Sequence, residues 1–129
     1  MNSRNLENSS KANPTTREDH AVREEDGNLV DFTAIPWKSS EVGVRVKQVV
    51  RGNHQIRLIE FSEDFVEADW CRKGHIAYVV HGTIEIDFGT RVVTVNAGDG
   101  VFIPPGESLK HKARVPNGTA TLFIVDKEE

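Results

Sequence analysis

HIAYVVHGTIEIDFG, residues 75–89, decides the class of fold. Between Thr83 and Phe88 the large apolar residues Ile84, Ile86 and Phe88 share one face, while Thr83, Glu85 and Asp87 share the other. A period of two is that of a β-strand with one buried face. Gly82 and Gly89 stand at the ends of this run as turn residues. The same rhythm continues in both directions. Toward the N-terminus lie VEADWC (66–71), HQIRLIEF (54–61) and VRVKQVVR (44–51), separated by Lys73-Gly74 and Gly52-Asn53. Toward the C-terminus lie RVVTV (91–95), VFI (101–103), LKHKARV (109–115) and TATLFIV (119–125), separated by AGDG, PPGE and PNG. Short β-rich runs at regular turn intervals, with no helical stripe after residue 30, predict an all-β sandwich or barrel. Closure into a small barrel removes exposed strand edges.

At 129 residues the chain has room for one domain with a substantial core. The residues before about position 30 are polar and carry few large apolar groups. Such a segment cannot offset its ordering entropy by burial, so residues 1–29 are expected to be a disordered N-terminal arm and residues 30–129 the β-barrel domain. The formal net charge of −4 argues against a nucleic-acid partner, which calls for a basic face. No apolar run approaches the roughly 18–20 residues that span a bilayer, and the N-terminus lacks the apolar core of a secretory signal. A single cysteine forms no intramolecular disulfide. A cytoplasmic protein without a membrane partner is the expectation.

The chemistry-bearing residues cluster in ADWCRKGHIAYVVHG, residues 68–82. Asp69 and Cys71 are two apart, which in a strand puts them on one face with Trp70 on the other. His75 lies roughly 13 Å beyond Cys71 at strand rise, but a bend at Arg72-Lys73-Gly74 brings the two together. His81 is roughly 20 Å from His75 along an uninterrupted strand and is therefore expected at the Gly82 turn, outside the site. In LKHKARV the cations Lys110, Lys112 and Arg114 face solvent, so Leu109, His111 and Ala113 face inward. In HQIRLIEF, Arg57 and Glu60 fall on opposite faces and only one of them points inside; the sequence leaves open which. Trp37 and Trp70 are expected as packing anchors.

This pattern resembles the cupin superfamily of small double-stranded β-helix, or jelly-roll, barrels. GDGVFIPPG matches that family's second motif, Gly-x5-Pro-x-Gly, at Gly98, Pro104 and Gly106. The first motif reads His-x-His, a short gap, Glu, six residues and Gly. Laid back from Gly82, it puts His75 at the glutamate position and Asp69 and Cys71 at the histidine positions. The family's remaining histidine falls on Leu109, with His111 two residues further on. The resemblance runs over about residues 40–126 and implies a cupin barrel enclosing a cavity. It places a candidate metal site at Asp69, Cys71, His75 and His111.

Three readings of these residues follow. A mixed O, S and N ligand set suits one divalent ion, Zn²⁺ or Fe²⁺, with no organic cofactor implied. Alternatively the barrel holds a small organic or sugar-like ligand without metal, with His75 as a base oriented by Asp69, as in metal-free isomerase-type barrels. A third possibility is Cys71 as nucleophile with His75 as its base. Beside all three stands a non-catalytic ligand-binding or regulatory module whose histidines are satisfied core residues. The expectation is a small-molecule-binding single-domain cupin, read first as a metal-dependent enzyme. A homodimer through an N-terminal strand such as VRVKQVV is its expected assembly.

Overall fold

The computed structural model describes residues 22–23 and 26–127, in two compact units that divide between Pro36 and Trp37. In the first unit Val22–Arg23 (β1) pairs antiparallel with Asp26–Val30 (β2). A single 3-10 turn, Phe32–Ala34, follows, and Asp31 caps it by accepting from the Thr33 amide and hydroxyl. The described residues of the expected arm are thus paired as strands, and residues 1–21, 24 and 25 lie outside the described residues.

The second unit is all β apart from one 3-10 turn, Glu107–Leu109. Its strands are Lys38–Glu41 (β3), Val44–Arg51 (β4), His54–Ser62 (β5), His75–His81 (β6), Thr83–Asp87 (β7), Val92–Asn96 (β8), Gly100–Ile103 (β9), Lys112–Arg114 (β10) and Thr119–Lys127 (β11). Every pairing is antiparallel. One sheet has the order β3-β4-β5-β11-β6-β9 and the other β10-β7-β8. Among the described residues no helix is long and apolar enough to cross a membrane.

Alternation along the strands supplies the interior. Ala77 and Val79 of β6, Ile84 and Ile86 of β7, and Ala120, Leu122 and Ile124 of β11 are buried in one cluster with Val44, Ile59, Val95, Ile103 and Val115. A fully buried Val, Leu or Ile contributes roughly 1.5–3 kcal/mol. An exposed pair such as Arg72–Glu107 is screened by solvent and contributes little. The lumen therefore holds the barrel together, and the charges on its outside do little.

Two expected elements differ. VEADWC is not a strand: from Val66 to Trp70 the chain is irregular, and only Cys71 makes a bridge. The alternating set Val66, Ala68 and Trp70 has no sheet to pack on: Val66 and Ala68 are exposed, and Trp70 lies under two lysines. KSSE, in contrast, is the edge strand β3, with all four residues exposed, so no alternation marks it. Trp37 and Trp70 also depart from the expected core role. Arg45 and Lys47 lie over the Trp37 ring, and Lys110 and Lys112 over the Trp70 ring. Both indoles are half-buried platforms for cations, whose long stems cover the ring faces.

The chain passes from the six-stranded to the three-stranded sheet at Gly82, between β6 and β7. Its φ of +82° is one that residues with a side chain rarely adopt, and a Cβ there would lie 2.2 Å from the Thr119 carbonyl oxygen. Gly98 has a similar φ of +96° but open space around it. Gly98→Ala should cost about 1 kcal/mol of unfolding free energy, the strain of the dihedral alone. Gly82→Ala should cost roughly 3 kcal/mol or more, because the backbone of β11 cannot retreat. Urea unfolding of both variants checks this; equal losses would mean that the Thr119 contact does not limit the turn.

Candidate metal centre

An isolated antiparallel bridge brings the site together. The Cys71 amide donates to the His111 carbonyl at 2.8 Å, and the His111 amide donates back to the Cys71 carbonyl at 2.9 Å. Residues directly opposed across such a pair present their side chains on the same side. The irregular segment before β6 and the entry to β10 thus aim a thiol and an imidazole in one direction. His75 joins them from the first position of β6, where it pairs with Ile103 of β9.

The expected bend between Cys71 and His75 is present, although its cause is close approach and not an unusual dihedral. A Cβ on Gly74 would lie 2.7 Å from the Ile103 carbonyl oxygen and 2.8 Å from the Pro105 ring. Only a hydrogen fits there. The Gly106 amide donates to the Arg72 carbonyl at 3.0 Å, which ties the PPG turn to the same bend. Cys71 Sγ and His75 Nε2 end up 3.6 Å apart.

Cys71, His75 and His111 each offer one ligand atom, and these atoms lie within 4.8 Å of one another. Tetrahedral Zn²⁺ with Zn–S near 2.3 Å and Zn–N near 2.0–2.1 Å sets its sulfur and nitrogen about 3.5 Å apart, so the Cys71–His75 spacing suits such an ion. The proton positions suit it too. His111 Nδ1 lies 2.9 Å from the Leu109 carbonyl, which can only accept, so Nδ1 carries the hydrogen and Nε2 the lone pair. His111 is 4% exposed, and its Nε2 is buried with no hydrogen-bond partner. An orphaned buried lone pair between a thiol and a second imidazole is what a bound cation would satisfy.

His75 has its own support. Its Nδ1 faces Asp126 Oδ1 at 3.6 Å, an electrostatic contact too long for a direct hydrogen bond. Burial pushes the His75 pKa below its usual value; the Asp126 carboxylate opposes that shift and His111 adds to it. The carboxyl that lines the adjoining cavity is Glu67, whose Oε1 accepts from the Ala113 amide at 2.8 Å and whose pKa is raised, chiefly by burial. A cavity of about 200 Å³ opens beside these groups. Ile59, Phe61, Ile84, Ile86, Leu122 and Ile124 form much of its wall, and Arg57, Glu67, Cys71, His75 and His111 its polar part.

Three of the four expected ligands therefore meet, and Asp69 does not. It is exposed, and it is not among the ligand-bearing groups brought together. The two-residue alternation that put it beside Cys71 holds only in an extended strand, which this segment is not. Asp126 escaped the sequence reading, yet it follows Ala120, Leu122 and Ile124 in phase on the inward face of β11. Continuing that alternation two residues further would have found it. His81 is exposed at the end of β6, next to Gly82, as expected.

No protein-family model matches the chain, and no curated protein matches it in sequence. Solved structures do match in fold. The polyketide cyclase RemF from Streptomyces resistomycificus aligns with a TM-score of 0.66 at 19% identity, over 79% of this chain and 80% of that one. A sugar phosphate isomerase of the cupin superfamily from Silicibacter pomeroyi aligns with a TM-score of 0.64 at 13% identity, over 77% and 74%. The EutQ protein of Clostridium difficile aligns with a TM-score of 0.62 at 22% identity, over 77% and 85%. The barrel therefore has the cupin fold.

The burial of His75 has a pH signature in the metal-free protein. Above its ordinary value of about 6.5 the ring is neutral in both folded and unfolded chains and contributes no pH dependence. Below it the unfolded chain takes a proton that the folded site resists, so stability falls until the depressed folded value is reached. Glu67 acts in the opposite sense, since its raised value lets the folded state take up a proton before the unfolded one. In chelator, the melting temperature of the wild type should fall more steeply between pH 7 and 5.5 than that of His75→Gln. Parallel curves would show that His75 is not held neutral by its surroundings.

Proposed function

We propose that the protein is a small-molecule-acting cupin in which Cys71, His75 and His111 hold one divalent ion at the polar end of the barrel cavity. The observation that carries this reading is the convergence of three ligand atoms within 4.8 Å around a buried, unpartnered His111 Nε2. Thiolate and imidazole together suit Zn²⁺ or Fe²⁺. Such an ion, when bound, supplies Lewis-acid polarisation of an oxygen on a bound molecule. The remaining work falls to the chain. The Leu109 carbonyl holds the His111 tautomer, Asp126 faces the far nitrogen of His75, and the apolar wall limits access of water. Glu67, whose pKa is raised chiefly by burial, is the carboxyl lining the cavity and the group there that most readily holds a proton. Neighbours whose names describe a polyketide cyclase and a sugar phosphate isomerase support action on a small organic molecule.

The line Asp126–His75–Cys71 favours a second reading, an activated thiol. Both contacts of His75 in that line are 3.6 Å, and the order of groups is that of nucleophile, base and orienting carboxylate. Metal content separates the two. Untagged protein purified without chelator should carry about one equivalent of zinc or iron by elemental analysis. Cys71→Ser and His111→Ala should each weaken binding at least tenfold, and Asp69→Asn should leave it unchanged. No bound ion after loading with Zn²⁺, Fe²⁺, Mn²⁺ and Ni²⁺ would remove the metal reading and leave the thiol.

Pairing of two copies is supported by the outer face of the six-stranded sheet. Phe102 of β9 is 79% exposed and sits in register with Ile76 of β6, which in turn lies opposite Val125 of β11; all three are exposed. Apolar side chains aligned across adjacent strands form a flat surface that a second copy matches by two-fold symmetry. Light scattering on wild type and Phe102→Asp should give a dimer and a monomer; two monomers would rule this face out.

A further inference from the structure

We propose that Arg57 is the anchor for a small organic carboxylate held in the cavity beside Cys71, His75 and His111. The inference rests on reading this cavity as a small-molecule site, and it names the class of molecule. Arg57 stands on the inward face of β5 in phase with Ile59 and Phe61, while Glu60, on the opposite face, pairs with Arg45 outside. Across the sheet Arg57 is in register with Ile124 of β11 and Gln48 of β4.

The guanidinium is only partly satisfied. Its Nη2 donates to Asp126 Oδ2, an oxygen that also receives Gln55 Nε2 at 3.4 Å. Asp126 turns its other oxygen toward His75. The two-point fork by which arginine and a carboxylate usually pair is therefore not made, because Asp126 is divided between two cations or potential cations. Arg57 Nε is left buried with no acceptor. Arg57 is 22% exposed by side chain and forms part of the cavity wall. A positively charged donor group retained in such a lumen, with its own carboxylate partner shared, is matched best by an anionic oxygen pair from a ligand. Ile59, Ile103, Leu122 and Ile124 stand ready to cover a short carbon skeleton. A cavity of about 200 Å³ with these apolar walls suits an acid with a short carbon skeleton.

The test uses the full chain, zinc-loaded and chelated, against a panel of monocarboxylates from acetate to hexanoate with lactate and pyruvate. Each acid is paired with its neutral amide. At least one acid should raise the melting temperature saturably, and its amide should not. Arg57→Gln should weaken that binding at least tenfold. Arg57→Lys, which keeps the charge beside Asp126, should fold as the wild type does and retain only part of the affinity. If no acid binds, if the amide binds as well, or if Arg57→Gln binds as the wild type does, the anchor is refuted. Metal content is read on the same samples. A stoichiometric ion without acid binding overturns the anchor and leaves the metal centre standing. Acid binding that depends on Arg57 in protein that takes up no ion on loading upholds the anchor and removes the metal centre.

Discussion

The paired hydrogen bonds between Cys71 and His111 are the constraint on which the site depends. They join a segment that belongs to neither sheet to the lead-in of β10, which belongs to the smaller one. Without that bridge the thiol would sit on an irregular loop and His111 on another, each free to turn away. With it, both side chains are committed to the lumen, and β6 needs only to start at His75 to complete the group. Gly74 is the steric condition for this, since any side chain there would press the bend away from Ile103 and Pro105.

The interior is divided between two kinds of wall. One part is a close-packed apolar cluster from Val44, Val79, Ile84, Leu122 and their neighbours, and it supplies the stability. The other carries Arg57, His75, Cys71, His111 and Glu67, backed by Asp126, and leaves one buried nitrogen each of Arg57, His75 and His111 without a hydrogen-bond partner. Each buried unsatisfied polar atom costs on the order of 1–3 kcal/mol, so this wall weakens the barrel that contains it. A fold selected for stability alone would fill that space with Val and Leu. Concentration of the cost at one end of one cavity is the pattern of a binding site, where a ligand or ion restores what the protein leaves unpaired.

Much of the fold was legible because antiparallel strands with one buried face have to alternate. TIEIDF puts Ile84 and Ile86 inward as the period predicts, and HIAYVV and TATLFIV show the same alternation of buried and exposed residues. Reading failed where a segment is not laid on a sheet, as in VEADWC, or has no buried face, as in the edge strand KSSE. The site was legible in the same measure. His75 and His111 sit on or beside strands and were placed correctly, as was the bend that returns Cys71 to His75. Asp69 was misplaced because it was assigned the alternation of a strand that does not exist.

The sequence by itself determined the all-β class, the inward direction of His111 and the exclusion of His81, because each depends only on local period and chain length. Tertiary structure alone decided which of Arg57 and Glu60 faces the lumen, because opposite faces of one strand are equivalent until the sheet acquires an inside. It also decided that the carboxylate beside His75 is Asp126, over fifty residues away in the chain, and not Asp69. Strands distant in sequence become neighbours only when the sheets close, and no local pattern records that distance.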